Sequence, residues 1–287
     1  MIRNPMPFRR IALIGLGLIG GSLGLVLKKR FFGVEVMGIS RSTAKIQSAI
    51  RRKAIDWGGT RAPKILSSAD LVVICTPVSS IPRWIEEAER WAAPGTIVTD
   101  VGSTKGALVR WAEKKKFKNI TFVGSHPMAG SHHSGMEFAK DNLFDGSLTF
   151  ITRTSKTSPA ALKKITAFWK KISDRIQVLD PEKHDKIVSE ISHTPHALAA
   201  LMVLTASPQS LPFAASGFLD TTRVAQGDPG LWRDIFEANR SFMVKNLKEK
   251  RRHLDRFIDF LAKNQTASIY QWLEKASRTR SRLRHSA

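Results

Sequence analysis

Three segments of the chain carry side chains able to move protons and hold anions. One is Asp100-Val-Gly-Ser103-Thr-Lys105, a hydroxyl between a carboxylate and an ammonium. The next is Gly124-Ser-His126-Pro-Met-Ala-Gly130-Ser131-His132-His133, a glycine-bounded turn rich in imidazole. The last runs from His184 to Arg223 and includes His193, His196 and Asp220. On a helix the three-residue step from His193 to His196 puts both on one face. An imidazole with an ordinary pKa takes a proton from an alcohol. The chemistry implied is oxidation of a hydroxyl carbon. Each group also has a structural reading: His126 as a loop histidine bonded to backbone, Asp220 as a surface acid or helix cap, Trp232 as a packed core ring.

Such an oxidation needs a hydride acceptor, and the chain supplies a place for one. Ile11-Ala-Leu-Ile-Gly15-Leu-Gly17-Leu18-Ile19-Gly20-Gly-Ser22 reads as a buried strand, a glycine turn and the start of an apolar helix. Phosphates sit well on the free N–H groups at such a helix start, so Gly15, Gly17, Leu18, Ile19 and Gly20 are expected to cradle a dinucleotide. An NAD site usually has an acid about 20 residues further on, for the ribose 2′-hydroxyl. Here the second strand ends in Ser40-Arg41-Ser42, which suits a 2′-phosphate, so NADP is expected over NAD. The alternative is a solvated Arg41 with NAD still bound. Thr76 and Pro77, after the next apolar run, complete the expected cofactor contacts together with Ser103.

The elements that must position these groups follow from periodicity. Strands are expected at 9–15, 34–39, 70–76, 96–101 and 120–124, with helices at 20–31, 42–53, 80–92 and 105–116 between them. That alternation predicts an α/β fold, a Rossmann-type domain with a mostly parallel sheet and helices on both faces. In such a sheet, ligands lie beyond the carboxyl ends of the strands, which is where Ser103 and His126 fall. A further pair, 148–153 and 175–179, brackets a helix at 158–172 and is expected to extend the same sheet. Asp180-Pro181-Glu182 is a helix start, as is Asp228-Pro229. Apolar residues then recur at steps of three and four, from Leu231 and Ile235 to Ile258 and Leu261. The expected division is a dinucleotide-binding domain at 1–180, an all-helical domain at 181–276, and a disordered basic tail at 277–287. The helical half is more apolar than a small bundle needs for its own core, which predicts a homodimer through it.

Composition narrows the classes. The 287 residues include 46 Lys and Arg against 24 acids, a net charge of +22. The excess is spread along the chain without aromatic-interleaved basic motifs, so no specific nucleic acid is expected. One cysteine, Cys75, excludes an internal disulfide and sits in an apolar run, as an inert buried thiol does. The longest uncharged apolar run, 197–206, is too short for a membrane span, and no signal peptide is evident, so a cytoplasmic protein is expected. No metal is expected. His126, His132 and His133 lack a completing cysteine or acid, and Glu190-x-x-His193 has no second copy. A Ser103–His126 hydrolase pair would need a G-x-S-x-G elbow, which is missing.

The motifs together resemble one family. Segments 15–22, 99–105, 125–131, 184–196 and 220–225, in this order and spacing across roughly residues 9–265, are similar to the prephenate/arogenate dehydrogenases of tyrosine biosynthesis. The resemblance implies oxidative decarboxylation of prephenate to 4-hydroxyphenylpyruvate, or of arogenate to tyrosine. It implies His126 as the base on the ring hydroxyl and Ser103 as its orienting partner. It also implies Arg223 on a substrate carboxylate, His196 near the side chain with His193 one turn before, and Trp232 in the pocket. Asp220 would orient Arg223, and Ser131 belongs to the same set of substrate contacts. One departure stands out: family members often have an acid where this chain has His132, so an acid–arginine gate with Arg223 is not expected. Another two-domain NADP oxidoreductase is the competing enzyme reading, and a nucleotide-sensing or nucleic-acid-binding regulator is the competing non-enzyme reading.

Overall fold

A computed structural model describes residues 6–131 and 133–283. Its first half is built on six parallel strands: β1 (Arg10–Ile14), β2 (Glu35–Ile39), β3 (Trp57–Gly59), β4 (Leu71–Ile74), β5 (Thr96–Asp100) and β6 (Ile120–Val123). They lie in the order β3-β2-β1-β4-β5-β6. The helices between them are α1 (Leu18–Arg30), α2 (Thr43–Arg51), α3 (Pro63–Ser68), α4 (Ile81–Trp91) and α5 (Gly106–Lys115). Side-chain alternation divides each strand between two cores. Ile11, Leu13, Leu71 and Val73 join Leu23 and Leu27 of α1 on one face. Ala12, Ile14, Val72 and Ile74 join Ile65, Ile85 and Leu108 of α3, α4 and α5 on the other. Burial on both faces is why these strands read as unbroken apolar runs. Strand order reverses between β1 and β4, and that switch point opens the crevice used by dinucleotides in this architecture.

The sheet does not grow past β6. Residues Ser125–Pro127 form β7, which pairs antiparallel with β8 (Leu148–Thr152); β8 pairs parallel with β9 (Arg175–Leu179) across α6 (Pro159–Trp169). The 148–153 and 175–179 pair therefore belongs to a separate three-stranded sheet, not to the large one as expected. The chain breaks at Gly124, whose carbonyl accepts from Thr152 N–H, so the pleat passes from β6 into the small sheet. Periodicity identifies strands but not which neighbour they choose. The sequence pattern predicts neither β3 nor α3. Three and six residues long, they are too short to register a period.

The second half is helical: α7 (Pro181–Val188), a π-helical turn at Ser189–His193, α8 (Thr194–Thr205), α9 (Ser216–Thr222), α10 (Pro229–Ala238), α11 (Arg240–Ala262) and α12 (Thr266–Ser281). Asp180 caps α7 by accepting from Glu182 and Lys183 N–H, and Asp228 caps α10 by accepting from Leu231 N–H. The basic tail expected to be disordered from 277 is helical through Ser281, as the last turns of α12; residues 284–287 lie outside the described range. The continuous helical run Pro181–Thr205 is long and apolar enough, by length and composition alone, to cross a membrane, which the apolar stretch 197–206 by itself is not. The same run carries four buried polar residues that serve the site: His184, Asp185, His193 and His196. Much of the apolar surface of the helical half is uncovered, including Leu204, Phe213, Leu219, Leu254 and Ile258.

Candidate active site

The glycine loop follows β1 directly. Gly15 has φ +96°, a left-handed conformation that suits glycine, and a Cβ there would stand 2.7 Å from the Cys75 carbonyl oxygen. A Cβ at Gly17, by contrast, would meet nothing within 4 Å, so the backbone is open on the side where a pyrophosphate would approach. Leu18, Ile19 and Gly20 form the first turn of α1, whose first turn contains no acid. Thr76 and Pro77 leave β4 beside this loop; Thr76 Cγ2 would stand 2.9 Å from a Cβ at Gly15. These residues fit a nicotinamide dinucleotide: an open glycine cradle, free N–H groups and no competing carboxylate. At the end of β2, Ser40 Oγ accepts from Ser42 N–H, and Ser42 Oγ caps α2 by accepting from Lys45 N–H. Arg41 is exposed, and no ion pair engages it among the described residues.

Ser103 sits in the loop after β5, and its position is set by two charged residues that sequence reasoning did not assign. Lys105 and Asp100 are both fully buried and paired at 2.5 Å. The Lys105 ammonium uses its other two hydrogens on the carbonyls of Gly102 and Thr104, which flank Ser103. Asp100 accepts from Gly102 N–H with Oδ2 and from Ser125 N–H with Oδ1. One buried ion pair thus ties the Ser103 loop to the strand that carries His126. All three ammonium hydrogens are satisfied, the condition under which a charge survives burial.

His126, in the middle of β7, is 8% exposed. Its Nδ1 lies 2.9 Å from His184 Nε2, and His184 Nδ1 lies 2.8 Å from Asp185 Oδ1. The Asp185 carboxylate also accepts from Lys105 N–H (2.7 Å) and Gly106 N–H (2.8 Å), the free donors at the start of α5. A carboxylate only accepts, so His184 Nδ1 must donate. His184 Nε2 then accepts from His126 Nδ1–H, and His126 keeps a lone pair on Nε2. Burial, then His184, Lys105 and His193, hold His126 well below the usual imidazole pKa. Burial likewise lowers His184, against the opposing pull of Asp185. A neutral imidazole with an open Nε2 is a proton acceptor.

The helical half brings His193 and His196 to this place. His193 lies in the π-turn, 1% exposed, with Nδ1 3.1 Å from Asn239 Nδ2. Its pKa falls to about 4, because burial outweighs the stabilising charge of Asp185. His196 stacks on Trp232, with ring centroids 3.5 Å apart and planes at 17°. Trp232 is therefore a packing partner of a candidate site residue, which joins its two sequence readings. Ser79, in the turn after Pro77, donates to Asp234 on the same helix at 2.5 Å and binds the two halves together beside the cleft.

Not every expected contact forms. Arg223 begins a 3-10 turn that packs on α8, the helix of His196, so the site's elements meet there. Yet Asp220 and Arg223 are both exposed, and among the described residues no ion pair joins them. The orienting role expected of Asp220 is not realised in this structure. Ser131 Oγ accepts from His133 N–H in a local turn, and the hydroxyl keeps its own hydrogen to donate. His132 lies outside the described residues, so the absent acid gate expected there has no structural counterpart. Residues after the loop are strapped to the cofactor domain: Arg52 donates to the carbonyls of Met136 and Ala139, and Ser22 Oγ accepts from Lys140 N–H.

Comparison with known proteins follows this division. Residues 23–178 match the family model of the prephenate dehydrogenase nucleotide-binding domain, and residues 180–275 match that of the prephenate dehydrogenase dimerization domain. The chain is 34% identical to a prephenate dehydrogenase of Bacillus subtilis, over 93% of its own length and 74% of the relative's. Among solved structures, prephenate dehydrogenase of Aquifex aeolicus in complex with hydroxyphenyl propionate and NAD+ superposes with a TM-score of 0.89 at 29% identity, covering 95% of this chain and 97% of that one. Synechocystis arogenate dehydrogenase superposes with a TM-score of 0.81 at 30% identity, covering 95% and 99%. With a Rossmann-like half and a helical half, each matched over nearly its full extent, the chain belongs to the prephenate dehydrogenase family of oxidoreductases.

Proposed function

We propose that this chain is a prephenate dehydrogenase that prefers NADP, with His126 as its base. The observation that carries the reading is the buried chain Asp185–His184–His126, which leaves a neutral acceptor nitrogen beside the Ser103 loop. Gly15, Gly17, Gly20, Thr76 and Pro77 would hold the dinucleotide, with Arg41 on a 2′-phosphate. A bound nicotinamide supplies the hydride acceptor for the carbon bearing the substrate hydroxyl. His126 Nε2 takes the hydroxyl proton as that carbon is oxidised. The resulting imidazolium is stabilised through His184 by the Asp185 carboxylate and would return its proton to the ring oxygen as CO2 leaves. Ser103 orients the hydroxyl. Arg223 and His196 hold carboxylate and side-chain oxygens, so that the ring carboxylate is free to leave as CO2 while the ring becomes aromatic. Orientation and proton handling are the protein's contribution.

The uncovered apolar face of the helical half is assigned to a second copy of the chain, in line with the dimerization-domain match. A small soluble substrate and a single, half-buried cysteine suit the cytoplasm. Arogenate is the second reading, favoured by the full-length likeness to an arogenate dehydrogenase. Initial rates with prephenate or arogenate, each with NAD or NADP, test the proposal. Higher kcat/KM for the prephenate–NADP pair supports it. No turnover of either substrate refutes it, and a preference for arogenate or for NAD refutes the corresponding half.

A further inference from the structure

Asn239 closes α10 and opens α11, 3% exposed, yet its side chain makes no capping hydrogen bond at α11. Its side-chain nitrogen stands 2.9 Å from the Asp185 carbonyl oxygen and 3.1 Å from His193 Nδ1. The carbonyl can only accept, so the group facing it is the amide NH2, and the orientation of Asn239 is fixed. That NH2 has two hydrogens. One goes to Asp185, and the other meets His193 Nδ1, which must therefore be the accepting nitrogen. His193 then holds its single proton on Nε2. Among the described residues this buried Nε2 has no hydrogen-bond partner, and neither does His196 Nδ1, one turn further on.

Unpartnered buried polar atoms are rare and call for an explanation. Both rings adjoin one indole: Trp232 meets His193 in a T-shaped contact and stacks on His196. They lie at the same cluster as His126, whose charge His193 would oppose. The low pKa of His193, about 4, keeps it neutral at physiological pH, so its buried Nε2–H is a fixed donor and not a cation.

We propose that Asn239 is a positioning residue that locks His193 as an N–H donor to the keto oxygen of the substrate's side chain, and so favours a keto acid over the corresponding amino acid. The proposal rests on the reading that this cleft takes prephenate or arogenate. A keto oxygen only accepts, whereas an ammonium only donates. A nitrogen held as a donor serves the first and opposes the second, and a buried mismatch of this kind discriminates strongly.

The test has two parts. Nitrogen-15 spectra of histidine-labelled wild-type protein, without substrate, report which ring nitrogen of His193 carries the proton. The expected result is protonated Nε2 with an unprotonated, pyridine-like Nδ1; the reverse overturns the proposal whatever the activity. In Asn239→Asp the carboxylate accepts from Nδ1–H and moves the proton, and the ratio of kcat/KM for prephenate over arogenate should fall by about tenfold or more, mostly through KM for prephenate. Asn239→Ala, which only releases the tautomer, serves if the acidic variant fails to fold, and should lower the ratio by about threefold. A switched tautomer with an unchanged ratio overturns the specificity claim. A wild type that turns over neither substrate refutes the reaction, and the specificity claim with it, while the spectra still decide whether Asn239 sets the tautomer.

Discussion

Replacing Asp185 by asparagine separates the electrostatic role of this carboxylate from its shape. The carboxylate accepts three hydrogen bonds, from Lys105 N–H, Gly106 N–H and His184 Nδ1–H. An amide offers one oxygen and one NH2 in the same space. With the oxygen in the Oδ1 position, Lys105 and His184 are kept, but the NH2 faces Gly106 N–H and a donor meets a donor. With the oxygen in the Oδ2 position, Gly106 is kept and the NH2 faces His184 Nδ1. His184 must then carry its proton on Nε2 and donate to His126 Nδ1, which puts the His126 proton on Nε2, where the lone pair is needed. Either arrangement removes the charge that stabilises the imidazolium. Since a positioned general base contributes about 10²- to 10⁴-fold, kcat should fall by about 10²-fold or more. One lost hydrogen bond to a charged group costs about 1.5–3 kcal/mol of stability. For a chain of this size that is a fall in melting temperature of roughly 2–5 °C. Initial rates of reduced-cofactor formation at saturating substrate and a thermal melt measure the two quantities. A kcat within about twofold of wild type, with a normal melt, would refute the proton chain.

Three other outcomes follow from the same geometry. His126→Asn should lower kcat by about 10²- to 10⁴-fold while NADP affinity, measured by fluorescence titration, stays within about threefold; unchanged turnover removes His126 from the reaction. Arg41→Ala should raise KM for NADP by about tenfold and leave KM for NAD nearly unchanged, as expected for loss of one charged hydrogen-bonding partner. Equal effects on both cofactors would return Arg41 to the solvated-loop reading. His126, His184, His193 and His196 are all held below the usual value of 6.5, so between that pH and their folded pKa values the unfolded chain binds more protons. Stability is therefore unaffected by them above pH 6.5 and falls as the pH drops below it. His193 alone, shifted to about 4, accounts for about 3 kcal/mol by pH 4. Urea unfolding midpoints across pH 4–8 measure this, and a flat profile between 4 and 6.5 contradicts the neutral burial of the cluster.

The large sheet was legible because its strands are buried on both faces and separated by helices of ordinary length. His126 and Ser103 were legible because both leave carboxyl ends of apolar strands, the place where this architecture binds ligands. The groups behind them were not. His184 and Asp185 are neighbours in a helix that also holds Lys183 and Lys186, and nothing local distinguishes the buried pair from a solvated one. Lys105 is invisible for a similar reason: its burial depends on Asp100 and two carbonyls folding around it. Asn239 reads as an ordinary helix break until the Asp185 carbonyl and His193 are seen beside it. The small sheet escaped because strand periodicity carries no information about pairing, and the helical turns after Ser277 because charge density masks a helix that folds along with its neighbour α11.

Asp185 comes from the helical half, yet it finishes the first turn of α5 in the nucleotide half and, through His184, anchors the imidazole that β7 carries. Basicity at residue 126 is thus a property of the docked pair of lobes, not of either lobe alone. Grafting the front lobe of one homologue onto the back lobe of another would preserve both folds and still detune the reaction unless positions 105, 184 and 185 travelled as a set. Drift at that seam is a means by which homologues of one overall shape can come to work at different acidities.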